Sequence, residues 1–347
     1  MSDRISVKDV SDKILKANWN MRKELLMDCG VLIPELVDIV DGYCGKNFEK
    51  KPNMIRVSHW DLRVKKQHTE WINRVCIVGD NYFATSSEDN TIRIWDLSKE
   101  GECVQTLTGH TNHVLPICEL DNGLLASGSK DKTVRIWDLS KGDECVQTLT
   151  GHTHTIWSVC ALGNGRLASG SSDNTIRIWD LSKEGECVQT LTGHKNDVNS
   201  LCALGDGRMA SCSDDSTIRI WDLDNRGECV QTLTGHARAI WSVCSLGNGL
   251  LASGSKDYTI RIWDLSKEGK CVKKLTGHTD VVLSVCALGD GRLASSSEDS
   301  TIRIWDLSKG GECVQTLDEH NSIVNSLVTT RNGLLVAQDL SEILIWR

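Results

Sequence analysis

The sequence predicts an all-β fold in which seven copies of one four-stranded unit close into a ring. Six tryptophans stand 42 residues apart and a seventh follows 41 residues later: Trp95, Trp137, Trp179, Trp221, Trp263, Trp305 and Trp346. A Thr-Ile-Arg-Ile or Thr-Val-Arg-Ile segment precedes six of them, and this alternation of β-branched residues is typical of a strand. One such sheet cannot bury both of its faces, so neighbouring units must stack, and a closed ring removes their exposed edges.

Within one unit, four short strands follow each other in chain order. In the third unit we predict strand a at 156–161, strand b at 166–170, strand c at 175–179 and strand d at 187–191. An Asn-Gly or Asp-Gly step recurs between strands a and b, for example at Asn164-Gly165, and such a step favours a two-residue hairpin.

Composition and charge exclude several classes of function. The chain has 347 residues and a formal charge of −8, the wrong sign for a protein that mainly binds nucleic acid. It contains no apolar run long enough to span a membrane, and its first residues lack the features of a signal peptide, so we expect no membrane insertion. We therefore expect an intracellular protein, cytoplasmic or nuclear.

The 15 cysteines indicate structural packing rather than a disulfide or metal site. Most fall into two series with the 42-residue period, each flanked by apolar residues, where a free thiol acts as a small hydrophobe. No Cys-x-x-Cys pair is present. No metal and no other cofactor is expected.

The repeats resemble those of the WD-repeat family over residues 54–347. Gly-His occurs at 109–110, 151–152, 193–194, 235–236 and 277–278, always 27 residues before the Trp of a Trp-Asp pair. The resemblance implies a seven-bladed β-propeller. It also implies that four side chains per repeat form a hydrogen-bonded structural tetrad: His68, Thr85, Asp89 and Trp95; His110, Ser127, Asp131 and Trp137; His152, Ser169, Asp173 and Trp179; His194, Ser211, Asp215 and Trp221; His236, Ser253, Asp257 and Trp263; His278, Ser295, Asp299 and Trp305.

A hydrolase is the alternative reading of the recurring Ser, His and Asp. An enzyme needs such a set once, whereas here it occurs six times with a fixed period and without an added base or oxyanion feature. We therefore predict no catalytic residue and no enzymatic activity. In the seventh unit Val336 and Leu340 take the tetrad positions, so we expect its sheet to be the loosest.

The two ends of the chain are predicted to complete the ring together. The chain ends on strand c of the seventh unit, and residues 54–66 precede His68 where every other repeat has strand d. Residues 1–50 are expected to form a short N-terminal helical extension, which caps the propeller or contacts a second partner.

Two short motifs leave a ubiquitin-ligase alternative open. Residues 32–36 resemble the first line of an F-box, and residues 60–63 resemble the Trp-Asp-x-Arg motif of WD-repeat substrate receptors. In this alternative the chain is a substrate receptor that docks through its N-terminal helices. A propeller-channel enzyme is a further alternative.

The positions that vary between repeats predict where partners bind. They lie in the d-a loop, at the start of strand a and in the b-c hairpin, which open on one face of a propeller. We expect this face to bind protein or peptide partners, including ones that carry Arg or Lys, as in a non-enzymatic scaffold or adaptor. The predicted partner-binding residues are Leu115, Trp157, Asn199, Trp241, Leu283, Glu88, Asp214, Glu298 and Asp339.

Overall fold

A computed structural model describes residues 67–79, 81–99, 102–318, 322–330, 335–339 and 343–346. Within these ranges the chain forms 27 strands and five short 3-10 helices. The 3-10 helices follow or link strands at Leu97–Lys99, Asp121–Gly123, Leu139–Lys141, Leu181–Lys183 and Leu265–Lys267. No helix in the described ranges is long and apolar enough to cross a membrane.

The strands form six antiparallel four-stranded blades and one three-stranded sheet, each in chain order. Blades 1 to 3 are β1 (Ile72–Val78), β2 (Tyr82–Ser87), β3 (Ile92–Asp96) and β4 (Glu102–Leu107); β5 (Val114–Glu119), β6 (Leu124–Ser129), β7 (Val134–Asp138) and β8 (Cys145–Leu149); β9 (Ile156–Gly163), β10 (Arg166–Ser171), β11 (Ile176–Asp180) and β12 (Glu186–Leu191). Blades 4 to 6 are β13 (Val198–Ala203), β14 (Arg208–Ser213), β15 (Ile218–Asp222) and β16 (Glu228–Leu233); β17 (Ile240–Gly247), β18 (Leu250–Ser255), β19 (Ile260–Asp264) and β20 (Lys270–Leu275); β21 (Val282–Ala287), β22 (Arg292–Ser297), β23 (Ile302–Asp306) and β24 (Glu312–Leu317). The seventh sheet is β25 (Val324–Thr329), β26 (Leu335–Asp339) and β27 (Ile343–Trp346).

The local sequence explains these elements. Asn164 and Gly165 both have positive φ, 54° and 70°, as the predicted tight hairpin between β9 and β10 requires. In strand c the residues alternate between the two faces of the sheet: Ile176 and Ile178 are buried, whereas Arg177 is half-buried. The predicted strands of the third unit therefore agree with the observed ones to within two residues at each end.

The sheets stack side by side in a closed cycle. The first strands contact each other in the order β1, β5, β9, β13, β17, β21, β25 and again β1. A hydrophobic cluster fills each junction, and the junction between the seventh sheet and blade 1 contains Val336 and Ile343 packed with Ile72 and Trp95. Gln338 also donates from Nε2 to the carbonyl oxygen of Ile72 at 2.7 Å. The all-β propeller predicted from the repeats is thus present.

The prediction of seven complete blades is wrong for the described residues, because six sheets have four strands and the seventh has three. The chain has one residue after β27, which leaves no length for a following strand. The predicted closing strand at 54–66 and the helical extension at 1–50 lie outside the described residues, as do the two motifs on which the ligase alternative rests.

Candidate functional site

The predicted tetrad residues lie together in each of the six blades. The Trp Nε1 donates to the Ser or Thr hydroxyl at 2.8 Å in every blade. The same hydroxyl lies 2.7–2.8 Å from the His Nε2. The His Nδ1 lies 2.7–2.9 Å from the Asp carboxylate, which accepts its proton. These bonds connect the d-a loop to the b-c hairpin and hold the rim of the face on which the variable residues lie.

The tetrad is electrostatically a structural device. In blade 4, burial raises the pKa of Asp215, but hydrogen bonds from His194 and Thr217 outweigh it and hold that pKa well below the usual range. The same balance lowers the pKa of the equivalent aspartates, Asp89, Asp131, Asp173, Asp257 and Asp299. In blade 6, burial lowers the pKa of His278, against the opposing hydrogen bond to Asp299. The folded state therefore favours an ionised aspartate, and in blade 6 a neutral histidine.

Acid should unfold the ring through these groups. A group whose pKa is lower in the folded state contributes stability above its unfolded pKa and loses it as the pH falls. The aspartates should thus weaken the fold below about pH 4, and His278 should add a smaller loss beginning near pH 6.5. Urea unfolding monitored by Trp fluorescence between pH 7 and pH 3 measures this. Stability that is constant down to pH 3 would contradict the tetrad electrostatics.

The seventh sheet differs from the sequence-based alignment by one residue. Leu335 pairs with Trp346, as Leu167 pairs with Trp179 in blade 3. Ala337, and not Val336, therefore occupies the position of the tetrad serine. The 41-residue spacing arises from one residue fewer in the b-c hairpin, so counting back from Trp346 misplaces every residue before that hairpin. Asp339 pairs with Val324, as Ser171 pairs with Ile156, and so does not match the hairpin position of Glu88.

One cavity collects the residues that stand fifth after the histidine of each repeat. It has a volume of about 190 Å³ and is lined by the residues at this position, Asn73, Leu115, Trp157, Asn199, Trp241, Leu283 and Asn325, together with Arg74, Asp197 and Asp214. Since one such residue comes from each sheet, the cavity lies where the first strands converge. We call it the channel mouth.

Trp157 is fixed by hydrogen bonds at the channel mouth. Its Nε1 donates to Ser172 Oγ at 2.6 Å and lies 3.1 Å from Asp197 Oδ2, and Ser172 Oγ donates to the same carboxylate oxygen at 2.7 Å. Asn199 donates to Asp214 Oδ1 at 2.7 Å and to the carbonyl oxygen of Ile240 at 2.9 Å. This wall of the cavity is therefore built and rigid.

Trp241 occupies the equivalent position in blade 5 without such partners. Two repeats after Ser172 and Asp197 stand Lys256 and Val281, and neither side chain can accept a hydrogen bond. As a result the buried Nε1 of Trp241 has no acceptor among the described residues. Lys256 Nζ instead lies 4.9 Å from the centre of a Trp241 ring, a cation-π contact.

The remaining predicted residues divide between the wall and the rim. Leu115 and Leu283 are buried, at 7% and 5% exposed, so they form apolar wall and correct the expectation of an exposed crescent. Glu88 lies at the rim with its Oε1 3.3 Å from His113 Nδ1. At Glu298, burial and the nearby Asp280 raise the carboxyl pKa, while Lys256 opposes the shift. The side chain of Asp339 is outside what the structure describes.

Sequence reasoning missed Arg74 as a cavity residue. Five repeats have Ser at the equivalent position, namely Ser158, Ser200, Ser242, Ser284 and Ser326. A charged residue at a position that is otherwise a small buried serine is a detectable signal.

Metal and thiol chemistry find no site in the described residues. No group of His, Cys, Asp or Glu there is arranged to hold a metal ion. Burial raises the pKa of Cys76 and Cys160 to about 12, so both thiols are protonated at neutral pH. Chemically, the channel mouth can bind a side chain, because it offers aromatic and aliphatic walls with a few polar groups.

Comparison with known proteins agrees with the repeat architecture. The family described as "WD domain, G-beta repeat" matches residues 60–96, 101–138, 143–180, 185–222, 227–264 and 269–306, more than half of the chain. A stretch of 54 residues is 48% identical to the pre-mRNA-splicing factor PRP46 of Eremothecium gossypii, covering 15% of this chain and 12% of that protein. PRP46 of Kluyveromyces lactis is 46% identical over 54 residues, with the same shares. The chain thus matches about an eighth of the length of these relatives. On its repeats and their fold, the protein belongs to the WD-repeat family.

Proposed function

We propose that this protein is a non-enzymatic interaction scaffold or adaptor that binds a protein or peptide partner at the channel mouth. The observation that supports this most strongly is the cavity to which every repeat contributes its variable residue. The scaffold leaves this position free to vary, since Asn, Leu and Trp all occur there, so the choice of residue is available for recognition. Two indoles in one cavity are suited to anchor a partner, because Trp is enriched among residues that dominate binding energy.

The charges of the rim favour a partner segment that carries Arg or Lys. Asp214 and Glu298 belong to a face that also holds Asp197 and Asp280. Lys256 beside Glu298 and His113 beside Glu88 moderate this field. Rim charges of this kind mainly steer association and contribute less to holding the complex.

The N-terminal helices are proposed as a separate region, residues 1–50, that contacts a second partner, with the propeller at 54–347. The ligase and enzyme alternatives gain no support from the comparisons or from the described residues. The matched stretch of the splicing factors is little longer than one repeat, so it supports the repeat and not a splicing role. An intracellular location, cytoplasmic or nuclear, is part of the proposal.

Affinity capture tests the proposed function. Partners are captured from a cell lysate with the intact protein, with a Trp157→Ala, Trp241→Ala variant, and with a Val188→Ala, Val230→Ala control on the outer edge, and are then identified by mass spectrometry. Truncating a central Trp commonly costs about 2 kcal/mol or more, so the tryptophan variant should lose its partners. The control should retain them. If the tryptophan variant folds and still captures the same proteins as the intact chain, partners bind elsewhere.

Charge reversal at the rim should change the rate of binding more than its strength. With a captured partner, Glu298→Lys should slow association and weaken its dependence on salt, because it removes part of the steering field. Surface-plasmon resonance at two salt concentrations measures both. An unchanged association rate would remove the argument for a partner that carries Arg or Lys.

A further inference from the structure

We propose that the channel mouth receives a carboxylate of the partner, with the guanidinium of Arg74 as its counter-ion and the indole N-H of Trp241 as a second donor in the same cavity. This inference rests on the proposed function and specifies the chemistry of the segment that enters the cavity.

Arg74 is a cation without an ionic partner. Its Nη1 donates to the carbonyl oxygen of Asn325 at 3.3 Å, and no carboxylate among the described residues lies within ion-pair distance. Burial lowers the pKa of Arg74, which shows that the guanidinium has lost much of its hydration. A desolvated charge without a counter-ion is unfavourable, so an entering anion would be bound strongly.

The scaffold does not need this arginine. Where other repeats have Ser, the hydroxyl accepts the main-chain N-H of the next blade, as Ser158 does from Leu201 at 3.0 Å and Ser242 from Val285 at 3.1 Å. Arg74 replaces this small inter-blade bond by a long cationic side chain directed into the cavity. We infer that the substitution provides a binding group at the expense of a structural one.

Trp241 supplies an independent indication that an acceptor enters. Its buried N-H has no acceptor, whereas the N-H of Trp157 at the equivalent position has two. Two residues near this N-H differ from blade 3, Lys256 for Ser172 and Val281 for Asp197, and both changes remove an acceptor. A partner oxygen would satisfy this donor.

The other acidic residues of the cavity are already engaged. Asp197 accepts from Trp157 and Ser172, and Asp214 accepts from Asn199. Both belong to blade 4, whereas Arg74 belongs to blade 1 beside the seventh sheet. A single guanidinium and one indole N-H match the single charge of an Asp or Glu side chain or of a chain terminus. A doubly charged phosphate would need more donors. The partner segment is therefore one acidic residue in the cavity, flanked by residues that meet the acidic rim.

A library of random peptides displayed on phage tests this assignment, with the intact protein as target. Peptides selected on the wild-type protein should share one Asp or Glu, or a free C-terminal carboxylate if the library presents one. Changing that residue to Asn or Gln, or amidating the terminus, should weaken binding about tenfold or more. Arg74→Ser should weaken the parent peptide equally and show little further loss with the neutral peptide.

Matched variants keep this experiment interpretable. Arg74→Ser restores the residue of five other repeats, so it should melt at or above the wild-type temperature, and a large fall would make Arg74 a structural residue and contradict the proposal. Arg74→Lys should restore part of the affinity. Arg208→Ser removes an arginine from an a-b hairpin and should change nothing.

Unchanged binding by Arg74→Ser, with binding lost in the Trp157→Ala, Trp241→Ala variant, would overturn the carboxylate proposal and leave the proposed function intact. Binding that survives both changes would overturn both proposals. A phosphoserine peptide that binds more tightly than its Asp counterpart through Arg74 would replace the carboxylate by a phosphate. Failure to select any peptide that needs Arg74 would also refute the inference.

Discussion

Deletion of residues 1–66 is expected to convert a soluble protein into one that aggregates. In the described residues β27 pairs with β26 alone, so its other edge presents free main-chain N-H and C=O groups unless another segment covers it. Exposed edges of this kind recruit strands from other molecules. We propose that residues 54–66 cover β27, because they precede His68 where the other repeats have strand d and place Ile55, Val57, Leu62 and Val64 at apolar positions.

A shorter deletion supplies the control. Removal of residues 1–45 leaves the proposed closing strand in place, so the product should remain soluble and melt cooperatively. Size-exclusion chromatography and thermal melting distinguish the two products. A soluble 67–347 fragment with a cooperative transition would contradict closure of the ring by both termini.

Replacing a tetrad histidine should destabilise the ring by roughly 1 to 3 kcal/mol, because buried partners then lose their hydrogen bonds. In His194→Ala, Asp215 loses a donor and Ser211 loses the imidazole, and both atoms are removed from bulk water. The d-a loop of blade 4 would no longer be connected to its b-c hairpin by these bonds.

His320→Ala is the matched comparison. The strand-b position that would face this histidine in the seventh sheet is Ala337, which offers no hydroxyl. The loss in the free energy of unfolding should therefore be smaller than for His194→Ala. Urea denaturation of both variants measures the difference, and equal losses would show that the tetrad is not the source of the stability.

The repeat made most of the fold predictable. Each Trp marks strand c, and alternation such as Ile176, Arg177 and Ile178 shows which side of the sheet is buried. The same periodicity placed the channel residues at one level. It failed in the seventh unit, where a shorter hairpin shifts Ala337 into the position assigned to Val336.

Depth and partners could not be read from spacing. Trp157 and Trp241 share one repeat position, yet one is fixed by Ser172 and Asp197 while the other has an unsatisfied N-H, because the deciding residues come from the hairpin and from the next blade. Leu115 and Leu283 were expected at the surface, but packing between neighbouring blades buries them. Comparison of Arg74 with the serines of the other repeats would have revealed it, but this position was not among the variable ones considered.

Indole N-H resonances in NMR spectra measure most directly whether partners bind at the channel mouth. The spectra would be recorded on the free protein and with a selected peptide at saturation, and Trp157→Phe and Trp241→Phe would assign the two signals. The account predicts that the signals of Trp157 and Trp241 shift while those of the tetrad residues Trp179 and Trp221 stay in place. Unmoved signals of Trp157 and Trp241 in the saturated complex would contradict it.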